Sequence, residues 1–277
     1  MNGVLERTLG ILELLAQHGE GLELAVLADQ LAIPRSAAHR LLADLVRLGY
    51  VRQARGHGVY LLSTKLVAMG LSYLSQSGIV DLAQPLLNRL AETSGELVRL
   101  SVVDGERLTW VARAQGARQG LRYDPDMGSD ARLSCSSSGW AWLSTLSDEE
   151  ALARVARQGL GLPPEFGPAA PATLQAVLAA VQATRVQGYS ITVDTYTPGL
   201  SAMSAPVRFA GQPAFGVLTI AGPTVRFTPE RMQTLASELM STAAQMAAIS
   251  GASPFFQLTA DGGAGFARDA RRPIYAP

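Results

Sequence analysis

Arginine, serine and histidine side chains cluster along residues 35–48, at spacings that would place them on one side of a helix. The set is Arg35, Ser36, His39, Arg40 and Arg47. An arginine on a helix in the major groove of DNA, about 12 Å wide, can hydrogen-bond the edge of a guanine, and serine or histidine can reach bases or phosphates. An isolated cluster of this kind more often forms an ordinary solvated surface. The elements around it therefore decide between the two interpretations.

Basic charge is concentrated in the same part of the chain. The formal net charge is zero, but residues 34–62 hold five arginines against one acidic residue, whereas the preceding 33 residues hold one arginine against five acidic residues. Such a local excess of positive charge is typical of a DNA-contacting face. Arg52, Arg55 and His57 belong to this basic stretch, and we expect them to contact phosphates or the minor groove rather than to read bases.

The second chemically suggestive feature is the serine-rich run 134–138, directly before Gly139. The pattern predicts the start of a helix, where unpaired N–H groups and the helix dipole favour an anion. Ordinary capping of the helix by serine is the alternative interpretation. Aromatic side chains could line an apolar pocket beside the anion, although such residues more often belong to a core. They are Trp110, Trp140, Trp142 and Tyr196.

The remaining reactive residues argue against an enzyme. All three histidines precede residue 60, so the C-terminal part cannot form a Ser-His-acid triad by itself. Lys65 is the only lysine and follows no glycine-rich loop, and no GxSxG motif is present. Cys135 is the only cysteine, which excludes an internal disulfide and fits a reducing compartment. We expect no catalytic residue, no metal site and no cofactor.

Two other functions remain compatible with these residues. The C-terminal part could be a ligand-processing enzyme that carries the N-terminal module as an appendage, although paired acids and bases are missing. The N-terminal module could bind a protein instead of DNA if its basic face were covered in a dimer. Binding to DNA from upstream of the protein's own gene discriminates both alternatives from a DNA-binding regulator.

Three helices and a hairpin must position the basic residues. Apolar residues recur at helical spacing over 4–17 and 24–31, and a third helix begins at Pro34, which suits a first helical position. Its predicted core-facing residues are Ala38, Leu41, Leu42, Leu45 and Leu48. Two strand patterns then flank a turn at 55–58. Residues 1–62 are therefore predicted to form a winged helix-turn-helix, and in that context the basic face favours DNA.

Helices and hairpins alternate in the rest of the chain. Helical patterns cover 63–77, 79–94, 136–146 and 172–187, with further helices starting at Ser147 and Thr228; strand patterns give a hairpin around Asp104-Gly105, a strand over 189–194 and a hairpin around Gly211. Hairpins in place of regular βαβ crossovers indicate an α+β domain over 78–250, after a linker helix over 63–77. The tail 251–277 is predicted to be disordered because it is rich in glycine, alanine and arginine.

Assembly and location also follow from the pattern. Leu66, Met69 and Tyr73 form an apolar seam on the linker helix, which favours a homodimer. Two modules reading a palindromic site would supply the contacts that one module lacks. No segment reaches the roughly 18 uninterrupted apolar residues that span a bilayer, and the N-terminus lacks the features of a signal peptide. We expect a cytoplasmic protein without a membrane partner.

Residues 4–250 resemble the IclR family of transcriptional regulators. The resemblance rests on LERTLGILELLA and LADQLAIPRSAAHRLLADLVRLGYV in the N-terminal part, and on RLSCSSSGWAWLS, GYSITVDTYTPGLSAMSAPV and FGVLTIAGP in the C-terminal part. It implies a winged helix-turn-helix joined by a linker helix to a GAF-like mixed α/β effector-binding domain. It further implies a homodimer or dimer of dimers that acts on double-stranded DNA, as a repressor, under the control of a small organic acid.

The resemblance also locates the effector. In relatives that bind short carboxylic acids, the positions equivalent to Ser137, Ser138, Thr192 and Ala202 contact it. The family usually has Lys at the position of Trp140, commonly an acidic residue at that of Thr192 and often Cys at that of Ala202. These departures favour an acid other than the shortest keto acids, such as an aromatic one. The predicted effector site consists of Ser136, Ser137, Ser138, Gly139, Trp140, Thr192, Asp194 and Ala202.

Overall fold

The computed structural model describes residues 3–54, 58–123, 128–161 and 165–250. The chain divides into two compact units, Met1–Gln76 and Ser77–Pro277. The tail predicted to be disordered, 251–277, lies outside the described residues. Within the described residues, no helix is long and apolar enough to cross a membrane.

The first unit combines helices with a small antiparallel sheet. Its elements are α1 (Val4–Ala16), β1 (Leu22–Glu23), α2 (Leu24–Gln30), α3 (Arg35–Arg47), β2 (Val51–Gln53), β3 (Val59–Leu62) and α4 (Thr64–Ser77). Strand β3 lies between β1 and β2 in the sheet. The predicted hairpin is present, since Arg52 pairs with Leu61 and Gln53 with Tyr60. The unit therefore has the three helices and the wing that the sequence predicted.

The core of the first unit is formed by one side of each helix. Ile11 and Leu15 of α1, Leu27 of α2 and Leu42 and Leu45 of α3 are buried together. The spacing of these residues, three or four apart within a helix, places them on one face. The opposite face of α3 is consequently left to its polar residues.

Two details of α3 differ from the sequence prediction. Pro34 is the N-cap residue, with an extended backbone (ψ 137°), and the helix begins one residue later at Arg35. Leu48 is 49% exposed because it is the C-cap residue, where the chain leaves the helix before the wing. The turn between α2 and α3 is tight: Ala32 has a φ of +51°, and the Ile33 amide donates to the Ala28 carbonyl over 3.0 Å.

The second unit is built on an antiparallel sheet with helices on both faces. Its elements are α5 (Ile79–Ser94), β4 (Leu97–Asp104), β5 (Arg107–Gln115), α6 (Ser137–Leu143), α7 (Asp148–Gln158), α8 (Leu174–Gln187), β6 (Ser190–Val193), β7 (Leu200–Val207), β8 (Gly216–Pro223) and α9 (Pro229–Ser250). Within the described residues the strand order is β5-β4-β8-β7-β6. Helix α5 ends at Gly95, whose φ of +70° suits glycine. Helix α6 is shorter than predicted, because Ser144 ends it and the Ser144 hydroxyl bonds back to the Ala141 carbonyl.

The two faces of this sheet carry different groups. On one face, side chains such as Leu100, Met203 and Leu218 form an apolar core with helices α5 and α9. On the other face, a second core that includes Trp110 and Val217 packs with α6, α7 and α8. Because side chains alternate along a strand, each of the central strands contributes to both layers. Polar side chains of the second face lie beside the start of α6.

Candidate nucleic-acid interface and candidate effector cavity

The polar face of α3 is open to solvent. Its side chains that the sequence singled out are all exposed: Arg35, Ser36, His39, Arg40 and Arg47. Among the described residues, Arg47 is the one of these side chains that forms an ion pair, with Asp44 at 3.2 Å on the helix surface. Exposed pairs of this kind contribute little to stability. The arginines of this face are therefore accessible from solvent.

The start of α3 adds backbone donors to this surface. Pro34 provides no side-chain cap, and no acidic residue lies in the first turn. The first amides of a helix without a cap have no intrahelical partner, and the helix dipole adds partial positive charge there. This end suits a phosphate group, and the exposed side chain of Arg35 lies beside it.

Of the wing residues that the sequence singled out, Arg52 is the one that lies within the described residues. Arg52 lies exposed on β2. Arg55 and His57 lie outside the described residues, so their predicted contacts with phosphate or the minor groove stay predictions.

A small cavity lies in the second unit, between the second face of the sheet and the start of α6. Its volume is about 20 Å³, which is room for roughly one water molecule. The lining residues come from β4, β5, α6, β6, β7, β8 and the loop before β7. They are Arg99, Trp110, Ser136, Ser137, Ser138, Thr192, Tyr196, Leu200, Ala202, Thr219 and Ala221.

Four hydroxyl groups form a hydrogen-bonded chain along one wall of the cavity. Ser204 donates to Ser137 over 2.8 Å, Ser204 and Thr219 are 2.8 Å apart, and Thr219 and Ser138 are 2.9 Å apart. Each hydroxyl has one proton. Because Ser204 gives its proton to Ser137, Thr219 must donate to Ser204 and Ser138 to Thr219. The Ser137 proton is then not used within the chain of hydroxyls.

Hydrogen bonds from side-chain hydroxyls to backbone carbonyls hold the serine-rich segment against the sheet. The Ser190 hydroxyl donates to the Ser137 carbonyl over 2.8 Å, and the Thr195 hydroxyl donates to the Cys135 carbonyl over 2.6 Å. Ser136 caps α6 by accepting from the Gly139 amide over 3.0 Å.

Burial raises the pKa of the Cys135 thiol to about 11. This cysteine is a buried structural residue rather than a reactive one.

Arg99 brings a buried positive charge to the cavity. Its exposure is 3%, and among the described residues no partner accepts a hydrogen bond from its Nε or Nη1. The guanidinium carbon lies 4.0 Å from the centre of the Trp110 ring and 5.7 Å from that of Tyr123. Burial lowers the pKa of Arg99 and raises those of Tyr123 and Tyr196. An arginine nevertheless stays protonated in proteins.

Family models identify the chain. One described as "Bacterial transcriptional regulator IclR C-terminal" matches residues 71–248, and one described as "IclR helix-turn-helix domain" matches residues 4–55. The chain belongs to the IclR family. The prediction of a DNA-binding transcriptional regulator, with a winged helix-turn-helix before an α+β domain, is thereby confirmed.

Individual IclR relatives agree with this assignment. The chain is 29% identical to the acetate operon repressor of Salmonella typhimurium over 87% of its own length and 88% of that protein. Its fold matches that of an IclR transcriptional regulator from Alicyclobacillus acidocaldarius with a TM-score of 0.78 and 22% identity, over 91% of this chain and all of the other. It also matches an IclR homologue from Microbacterium hydrocarbonoxydans, crystallised with 4-hydroxybenzoate, with a TM-score of 0.74 and 18% identity, over 91% and 100% of the two chains.

In this IclR-family chain, five of the eight predicted effector residues lie together at the cavity. They are Ser136, Ser137, Ser138, Thr192 and Ala202. Three do not line it. Gly139 lets α6 approach the backbone of Leu133, where a Cβ would lie 2.6 Å from the Leu133 Cα. Trp140 is buried in the core below α6, and its Nε1 donates to the Ser134 carbonyl over 3.0 Å. Asp194 accepts from the Gly199 amide over 2.6 Å and so stabilises the turn before β7.

Four cavity residues of this IclR-family chain were not predicted: Arg99, Leu200, Thr219 and Ala221. Thr219 lies on β8, within the segment FGVLTIAGP, and completes the hydroxyl chain. Arg99 lies in the middle of the strand pattern LVRLSVV, and a charged residue between apolar neighbours in a buried strand was the available signal. Among the described residues, no group of three or more His, Cys, Asp or Glu side chains could hold a metal ion.

Proposed function

We propose that this regulator is a repressor that binds its operator through α3 and changes its DNA affinity when a small organic acid occupies the cavity. The observation that carries the DNA-binding part is the exposed row of basic residues on α3, directly opposite the buried face of the same helix. That arrangement fits a helix whose outer face enters a major groove. Relatives such as the acetate operon repressor support the proposal that this regulator represses transcription.

The proposed DNA contacts divide into two kinds. Arg35, Ser36, His39 and Arg40 lie near the start of α3 and are proposed to reach base edges. The remaining basic residues are proposed to contact phosphates: Arg47, Arg52, Arg55 and His57. The first kind gives preference for a sequence, and the second gives salt-dependent affinity.

A dimer is proposed as the DNA-binding species. Support comes from the seam of Leu66, Met69 and Tyr73 on α4, of which Met69 and Tyr73 expose more than half of their surface. Contiguous exposed apolar patches commonly mark an interface between proteins. Two winged helix-turn-helix modules related by a two-fold axis would read a palindromic operator. Sedimentation of the free protein and of its DNA complex tests this part of the proposal.

The effector is proposed to be a small organic acid bound at the cavity. Support comes from the hydroxyl chain, the buried Arg99 and the apolar wall formed by Leu200 and Ala221. The related structure that contains 4-hydroxybenzoate makes an aromatic acid a reasonable first compound to test. Effector and DNA binding are coupled if the acid favours one of two conformations, and a coupling of about 1–3 kcal/mol corresponds to a change of roughly 5- to 150-fold in operator affinity.

Fluorescence anisotropy with labelled DNA from upstream of the gene tests the whole proposal. We expect saturable binding that weakens as salt rises, and an operator affinity that changes when the effector is added. A chain that binds upstream DNA no better than an unrelated duplex of equal length contradicts the proposal. Turnover of the bound acid would favour the alternative of a ligand-processing enzyme.

A further inference from the structure

Arg99 and Trp110 bring to one cavity three nitrogen atoms that have no hydrogen-bond acceptor among the described residues. Among the described residues, nothing accepts a hydrogen bond from Nε or Nη1 of Arg99, nor from the indole Nε1 of Trp110. Both side chains are almost fully buried, at 3% exposure each, and both line the cavity. Leaving a buried donor unpaired is unfavourable, and leaving a buried charge unpaired is more so. An acceptor for these bonds has to come from outside the described residues, and a bound ligand would supply one.

Among the described residues that line the cavity, the one charged side chain is the positive Arg99. Acidic side chains are absent from the lining of this cavity, and the groups that influence the charge of Arg99 in the described part of the chain are Tyr123, Tyr196 and Arg113. The guanidinium packs against the Trp110 ring in a cation–π contact and is hydrogen-bonded to Tyr123. Its Nε and Nη1 have no acceptor among the described residues. The described residues that line the cavity therefore supply no compensating negative charge, and an anionic ligand would supply one.

We propose that the carboxylate of the effector binds Arg99 and Trp110, with Ser137 as a further donor, and that Arg99 makes the site selective for anions. This inference rests on the proposed function, since it names the group of the effector site that recognises the acid. The apolar part of the acid lies against Leu200, Ala202 and Ala221, which form the remaining wall. At about 20 Å³ the cavity is much smaller than a typical small-molecule site, so its side chains must move apart to admit the whole acid.

The first test needs no knowledge of the natural ligand. A residue that serves only the fold stabilises it, whereas a buried charge kept for a ligand destabilises the ligand-free protein. We expect Arg99→Met, which keeps the bulk and removes the charge, to raise the Tm of the ligand-free protein by roughly 2 °C or more. Arg99→Gln serves as a second variant, and a lower Tm in both variants overturns the proposal. Arg231→Gln removes a charge from the exposed surface of α9 and is expected to leave the Tm unchanged.

The second test compares a charged probe with a neutral one of the same shape. Titration calorimetry with benzoate and benzamide is expected to give at least tenfold tighter binding of benzoate to the parent protein and to Arg231→Gln. Arg99→Met is expected to lose that preference, because a hydrogen bond to a charged group contributes tenfold or more in affinity. Trp110→Phe is expected to weaken benzoate binding while keeping the preference for it over benzamide.

Each negative result has a separate meaning. Equal benzoate affinity in Arg99→Met and in the parent overturns the role of Arg99, although an acid effector would remain possible. If benzoate, acetate and pyruvate all fail to bind the parent protein, the carboxylate assignment itself is wrong. Neither result affects operator binding, which anisotropy with the upstream DNA measures independently. Failure of the parent protein to bind the upstream DNA, in contrast, would contradict the proposed function and not this inference.

Discussion

The Ser204 hydroxyl donates to the Ser137 hydroxyl over 2.8 Å, which joins the middle of β7 to the first turn of α6. Both side chains are buried, so water cannot replace the bond. We expect Ser204→Ala to destabilise the protein by about 1–3 kcal/mol, because the neighbouring hydroxyls lose a buried partner. Chemical denaturation of this variant beside Ser241→Ala, a change on the exposed side of α9, measures the effect. Equal losses in the two variants would contradict the importance of the hydroxyl chain.

The basic face of α3 provides the sharpest DNA-binding prediction. Arg40→Ala is expected to weaken operator binding by about tenfold or more, since a bidentate arginine contact with guanine contributes about 1–3 kcal/mol. Arg231→Ala, on the second unit, is the charge-matched control. Anisotropy at one fixed salt concentration gives both affinities. An operator affinity unchanged by Arg35→Ala as well as by Arg40→Ala would remove α3 from the DNA interface.

The ion pair between Arg226 and Glu96 in the second unit is expected to contribute strongly to its stability. Arg226 donates to both carboxylate oxygens of Glu96, at 2.6 and 2.8 Å, and Glu96 is 6% exposed. Hydrogen bonding to Glu96 raises the pKa of Arg226, so the stability contributed by the Arg226 charge is lost as the pH rises above the usual arginine range. Arg226→Met is expected to cost about 3–5 kcal/mol because it leaves a buried carboxylate unpaired.

The double variant Glu96→Gln with Arg226→Met provides the control for that ion pair. It removes both charges, and we expect it to be more stable than Arg226→Met alone. Urea denaturation at neutral pH measures all three proteins. A double variant less stable than the single one would mean that Glu96 acts through contacts other than the ion pair.

Gly139 permits the close packing of α6 on the segment that precedes it. A Cβ at this position would lie 2.6 Å from the Leu133 Cα and 2.7 Å from the Leu133 carbonyl oxygen. Gly139→Ala is therefore expected to displace α6 and to lower both the Tm and the affinity for the effector. Gly70→Ala, where a Cβ would meet nothing within 4 Å on α4, is expected to keep the Tm or raise it slightly. A Gly139→Ala protein as stable as the parent would contradict the described packing.

Alkylation of Cys135 tests whether the serine-rich segment before α6 stays packed in the native protein. Burial raises the pKa of Cys135 to about 11, so below that pH the folded protein holds the thiol protonated. We expect iodoacetamide at pH 7.5 to leave Cys135 unmodified in the native state and to alkylate it in 6 M guanidinium. Mass spectrometry distinguishes the two. Rapid alkylation of the native protein would mean that the segment opens readily.

The N-terminal unit was largely predictable because its pattern is local. The periodicity of Leu41, Leu42 and Leu45 along one helix determines which side is buried, and the opposite side follows from that. The errors were the ends of α3, at Pro34 and Leu48, where cap geometry depends on how the chain continues, and the short strand β1, which was not predicted.

The effector cavity was predicted only in part because it depends on distant strands. Ser137, Thr192 and Ala202 were located through the family resemblance, and they do meet at the cavity. Trp140 was expected to face the ligand, but in a short helix the direction of a side chain depends on the packing below it. Arg99 comes from a strand almost 40 residues earlier, and its position beside Ser137 follows from the order of strands in the sheet.

The alternation of side chains along β4 also limits how this protein can evolve. Val98 and Leu100 point into the core with α5 and α9, while Arg99, between them, points into the cavity. Substitution at Arg99 can change the ligand without touching that core. Insertion or deletion of one residue before it would exchange the two faces, placing the charge among aliphatic side chains and Val98 or Leu100 against the cavity. New effector specificities in this lineage should therefore arise by replacement within β4, while changes of length collect in the loops between strands.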